Sequence, residues 1–164
     1  MKKIKKVQVT TILFSISLVL FFTGCAKKGI SYSFSPIQER AGITQEEKDK
    51  VEELLKSAPK MPKGISFYSY EIQKAKDGSL KVNGFVRNNT GDDVCNIFGA
   101  FRIESDDKKF ASADFSLDES TFGVLKNGDS RPWSLIYNKH QVLSSLEDID
   151  SYVISVDVEY EILN

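Results

Sequence analysis

Few residues in this 164-residue chain are placed to do chemistry. His140 is the single histidine, in Asn138-Lys139-His140-Gln141, which reads as a surface loop carrying a solvated imidazole. One histidine cannot build a multi-histidine metal site, and no Gly-x-Ser-x-Gly supplies a serine for it to activate. Acidic clusters stand at Asp92-Asp93, Asp106-Asp107 and Glu147-Asp148-Asp150. They lack EF-hand spacing and read as solvated turns, with weak calcium binding as the alternative. Cys-x-x-Cys, Gly-rich phosphate loops and Walker motifs are missing from the sequence. The expectation is a non-enzyme with no catalytic residue, no cofactor and no metal site.

The two cysteines differ in setting. Cys25 follows Phe22-Thr23-Gly24, directly after an apolar run over residues 12–22 that is preceded by Lys2, Lys3, Lys5 and Lys6. Eleven apolar residues suit the h-region of a signal peptide and fall short of the ~20 that a transmembrane helix needs. The small residues before Cys25 resemble a bacterial lipobox, with Phe22 in place of the usual Leu. This reading makes 1–24 a signal peptide and Cys25 the thiol that carries a diacylglycerol, with palmitate-type acyl chains anchoring the protein on the extracytoplasmic face of the cell membrane. Cys95 is then left without a partner, and its neighbours Val94 and Ile97 predict a buried thiol.

The chain from Cys25 onward has 140 residues, the size of one domain. With the four leader lysines removed it carries 18 basic and 23 acidic residues, a formal charge of about −5. That balance argues against a nucleic-acid partner, which requires clustered positive charge.

Residues 25–43 are rich in Ser, Gly and Lys and read as a flexible tether, with a short strand at Tyr32 and Phe34 as the alternative. A helix is expected over 44–58: Thr44 and Glu47 have capping-box spacing, Val51, Leu54 and Leu55 share one face, and Pro59 and Pro62 end the pattern. From Gly64 onward the period is two. Strands are expected over 65–72, 80–87, 94–103, 109–115, 133–137 and 152–162, with Asp77-Gly78 as a hairpin turn. Phe85 breaks the alternation of the second strand. The third strand should bury Cys95, Ile97, Gly99, Phe101 and Ile103 on one face. The last should bury Tyr152, Ile154, Val156, Val158, Tyr160 and Ile162. Six antiparallel strands with a turn signal between each pair predict a mainly β fold, an immunoglobulin-like antiparallel β-sandwich over 64–163 with one short N-terminal helix outside it.

Within that region stands an ordered set of short motifs: Val86-Arg87-Asn88, Asp106-Asp107-Lys108, the stretch from Phe110 to Leu117 that includes Phe115, Phe122-Gly123-Val124-Leu125, and Ser130-Arg131-Pro132-Trp133-Ser134-Leu135-Ile136-Tyr137. Taken together they resemble the SLAP domain of Gram-positive cell-envelope proteins. The resemblance covers about residues 80–140, in a single copy. It marks Asn88, Phe115, Pro132 and Trp133 as structural motif residues and implies no catalytic group. It implies a non-catalytic binding or assembly module, with envelope or secretion proteins as partners and a link to S-layer assembly or an accessory Sec system. Pro132 suits a strand entry. Trp133 is expected to fill core, with an exposed ligand-gripping indole as the alternative. The competing functional reading is a lipoprotein that binds a small molecule or a metal through its acidic loops.

Overall fold

The computed structural model describes residues 30–105, 108–144 and 152–163. The signal segment 1–24, Cys25, the Asp106-Asp107 turn and the 147–150 cluster lie outside the described residues. Two helices, α1 (Pro36–Ala41) and α2 (Gln45–Ser57), precede six strands: β1 (Gly64–Lys74), β2 (Leu80–Asn89), β3 (Val94–Ser105), β4 (Lys108–Leu117), β5 (Ser130–Tyr137) and β6 (Val153–Ile162). Two antiparallel three-stranded sheets result, ordered β1-β2-β5 and β4-β3-β6. The fold is mainly β.

The sheets share one core. Phe67, Val82, Val86, Leu135 and Tyr137 come from the first sheet; Ile97, Phe101, Ile103 and Leu117 come from the second. Alternation places these side chains inward, as period two requires. Edge-on ring contacts at 5–6 Å run Phe67–Phe101–Phe115–Tyr137 through the middle of the core, the arrangement that aromatic quadrupoles favour. The buried Tyr137 hydroxyl donates to the Phe101 carbonyl at 3.3 Å, and burial pushes its ionisation well above the ordinary phenol value.

Phe85 explains its own break in the pattern. It points away from the shared core and is buried beneath α2, against Val51 and Leu55. Burying such a side chain contributes about 2 kcal/mol. The α2 cap forms as its sequence predicts: the Glu47 N–H donates to Thr44 Oγ1 at 3.2 Å, and the Thr44 N–H donates to the Glu47 carboxylate at 2.8 Å. The Thr44 N–H and the Thr44 hydroxyl, which donates to the same carboxylate at 2.9 Å, hold the Glu47 carboxyl below its usual range.

Three expectations need correction. The described part of the expected tether, 30–43, is docked on the sheets: Tyr32 bridges Ser130 in parallel, and Pro36–Ala41 is helical. The register of β3 slips by one residue at Asn96, which adopts φ 47°. Cys95 therefore pairs with Glu161 and lies on the face opposite Ile97. It is buried nonetheless, as expected. Lastly, β6 stops covering the core before its end. Ile154, Val156 and Val158 pack inward, but Tyr160 and Ile162 are 36% and 48% exposed.

Candidate functional site

Three of the family-like motifs, 86–88, 122–125 and the start of 130–137, meet at one end of the molecule, where β2 ends, β3 and β5 begin, and the 122–129 loop closes over them. Asn88 ends the buried run of β2 and is fully enclosed. Its amide donates to the carbonyls of Asp92 (2.8 Å) and Leu125 (2.9 Å). Its side-chain oxygen accepts from the Thr90 N–H (3.0 Å) and hydroxyl (2.8 Å). All four capacities of the side chain are used. The Asn88 backbone adds bonds to Asp129 and Gly128. One residue thus ties the β2–β3 turn to the 122–129 loop.

Arg131 performs a similar task from β5. It is 4% exposed. Its guanidinium donates to the carbonyls of Phe122 and Val124 and to the Ser33 hydroxyl. It also lies over the Phe122 ring, 4.9 Å from the centroid. Burial lowers its pKa, and the charge of Asp129 opposes that effect. Gly123 makes this approach possible. Its φ is +82°, and a Cβ there would come within 2.7 Å of Pro36. Glycine avoids both the strain and the clash. Trp133 stands edge-on to Phe122 at 5.1 Å and is half-buried at the rim of the core. Pro132 begins the exposed side of β5, opposite Phe85 of β2. Phe115 sits between Phe101 and Tyr137. These four motif residues are not gathered into one pocket.

The docked N-terminal segment completes this end. Ser33 donates its N–H to the Ser130 carbonyl, and the Ser130 N–H donates to Ser31, both at 3.1 Å. The Ser31 hydroxyl donates to Asp129. Tyr32 donates its hydroxyl to Glu52 of α2 at 3.1 Å. The sequence reading missed α1, yet its signal was present: Ser35 and Gln38 form a capping box around Pro36 in the first turn.

Beside this clamp opens a cleft of about 650 Å³, bordered by Arg87, Lys60, Asn127, Ile30, Leu55 and Met61. Arg87 is 7% exposed; Nη2 donates to the Pro59 carbonyl at 2.9 Å, and the guanidinium lies 6.0 Å from the Tyr68 ring.

The chemistry-bearing residues named at the outset lie elsewhere. His140 is exposed on a short 3₁₀ turn. Asp93 accepts the Asn127 N–H at 2.9 Å. No group of three or more metal-ligating side chains occurs among the described residues.

Paired antiparallel sheets, an asparagine-centred turn and a buried arginine clamp define a small all-β module. The SLAP domain matches this chain over residues 36–159, most of its length. The chain belongs to the SLAP domain family, a membership that suggests an S-layer- or Sec-associated module. The match takes in both helices, so the domain begins well before the Gly64 expected from strand patterning. No curated protein and no solved structure matches the chain.

Proposed function

We propose that this protein is a lipid-anchored, extracytoplasmic lipoprotein whose SLAP domain is a non-catalytic docking module for an envelope or secretion protein. The observation that carries the docking role is the free edge of β6, which pairs only with β3 among the described residues. The strand order supports an immunoglobulin-like arrangement. β1-β2-β5 follows strands A, B and E, and β4-β3-β6 follows C′, C and F. In that fold strand G lies beside F. Here no strand pairs with that edge among the described residues, and Tyr160, Ile162 and Leu163 are exposed beside it. An extended partner segment fits there by strand addition, with main-chain bonds giving affinity. Asp157, Glu159 and Glu161 are exposed along β6 and favour a segment that carries Lys or Arg.

Anchoring rests on the lysine-rich leader, the apolar run and Cys25. Two measurements test the whole reading. Cys25→Ser should move the protein from the membrane fraction to the soluble one, and an unchanged distribution removes the anchor. Affinity capture from detergent-solubilised envelopes should enrich one envelope or secretion protein, and the double variant Tyr160→Lys/Ile162→Lys should lose it. Capture undiminished in that variant, or no reproducible partner, removes the edge as the docking element.

A further inference from the structure

We propose that the cleft beside Arg87 is a binding site for a phosphate group, with the Arg87 guanidinium as its principal charge and Lys60 as a second cation at its border. Arg87 and Arg131 are the buried cations at this end of the molecule, and they are not equally provided for. Arg131 has three acceptors and the nearby charge of Asp129. Arg87 donates to a single carbonyl, that of Pro59. The Nε atoms of both arginines are shielded from solvent and unpartnered, so the difference lies at the terminal nitrogens, where Arg131 has three acceptors and Arg87 one. No carboxylate of the described residues lies within ion-pair distance of Arg87.

That imbalance has a chemical meaning. A guanidinium does not shed its proton under any condition in which the protein is folded. Its burial therefore costs solvation energy, of which the Pro59 carbonyl and the Tyr68 ring, 6.0 Å away, return a part. The fork geometry of its donors suits an oxyanion better than a lone carbonyl. The cleft supplies the space: about 650 Å³, within the usual range for small-molecule sites. No carboxylate borders it. Asp129, nearby in the chain, is engaged by Ser31 and Arg131. The rest of the border mixes polar Ser31, Asn89, Asn127 and Ser130 with apolar Ile30, Leu55 and Met61, which suits a phosphate ester with a short hydroxylated carbon skeleton rather than the bare ion.

Such an ester has two sources, a soluble metabolite or a lipid headgroup. The lipid source rests on the anchor proposed above. Ile30 borders the cleft five residues after Cys25, a span of at most about 18 Å.

The experiment uses the mature chain from residue 25 with Cys25→Ser, so that neither acyl chains nor the basic apolar leader can contribute to membrane association and failure of the anchor reading is scored separately. Glycerol 3-phosphate is titrated by calorimetry, and phosphatidylglycerol vesicles are tested by co-sedimentation, each against the same protein carrying Lys60→Gln or Arg87→Met. Binding of glycerol 3-phosphate assigns a soluble source, and binding of vesicles alone assigns a headgroup. In either case Arg87→Met should weaken binding about tenfold or more, as loss of a charged hydrogen bond does. Lys60→Gln, a change at the border of the cleft, should weaken it severalfold and does not depend on the other variant folding. Absence of binding to both probes, or binding that neither variant weakens, overturns the proposal.

Discussion

The end of the domain that holds Asn88 and Arg131 and the edge formed by β6 handle backbone polarity in opposite ways. At the first, the loops that would leave carbonyls and N–H groups unpaired are stitched together by two buried polar side chains and a docked strand of chain. At the second, β6 pairs with β3 on one side and with no strand on the other among the described residues, and its last apolar residues are exposed. The contrast separates a part closed on itself from a part that, on the docking role proposed above, exchanges partners. Buried polar groups with full hydrogen bonding specify one arrangement, because any alternative leaves them unsatisfied. An open edge specifies nothing until another strand arrives.

The most disruptive way to break the contrast is Asn88→Ala. Four side-chain hydrogen bonds disappear, and the Asp92 and Leu125 carbonyls lose a buried donor. We expect a loss of about 3 kcal/mol, read as a fall in Tm of roughly 10 °C for a domain of this size. A shift under about 2 °C would place Asn88 among replaceable residues. A second measurement sharpens the contrast. Cys95 pairs with Glu161 near the open end of β6, and its thiol lies within 3.9 Å of that carboxylate. Burial first, then Glu119 and Glu161, push its ionisation up. A thiol reagent should label it slowly in the native protein, yet faster than global unfolding allows, because β6 opens locally. Labelling that tracks global unfolding across a denaturant series would make β6 as firmly held as the clamp.

The smallest expected effect concerns the α2 cap. The Glu47 carboxyl is held below its ordinary pKa by Thr44. A depressed carboxyl stabilises the fold above its unfolded pKa and loses that contribution as pH falls through the folded value. Glu47→Ala should therefore lower Tm slightly at pH 7, and the gap should close towards pH 3. A gap independent of pH would rule out the Glu47 charge as its source, and helix propensity cannot supply it because alanine is the better helix former.

Most of the secondary structure was legible because its signals are local. Period two marked six strands, and the Thr44–Glu47 spacing marked α2. The errors were non-local. Nothing adjacent to Asn96 in the chain announces a left-handed residue whose amide bonds Glu161 and whose oxygen accepts from Glu119. Tyr160 and Ile162 keep the spacing of the inward-packed Ile154, Val156 and Val158, so strand patterning does not distinguish them, yet they are exposed. The segment 30–43 looked like a tether because Ser, Gly and Lys favour solvent, whereas Ser31 and Ser33 bond to Ser130 across the fold. At the candidate site, Asn88 was marked by resemblance. Arg87 and Arg131 stood in the same motifs but received no role. Arginine is ordinarily a surface residue, and only the structure shows these two buried.

The docked N-terminal segment also decides how the domain meets a mechanical load. Tension applied to a chain held before Ile30 and gripped at β6 enters through Ser31, Tyr32 and Ser33. It passes into β5 through the paired Ser33 and Ser130 bonds and the Arg131 guanidinium. Because Tyr32 and Ser130 lie parallel, a pull along the segment shears these contacts together instead of peeling them one at a time. The buried arginine that looks like a structural detail is thus the cleat to which the line is made fast.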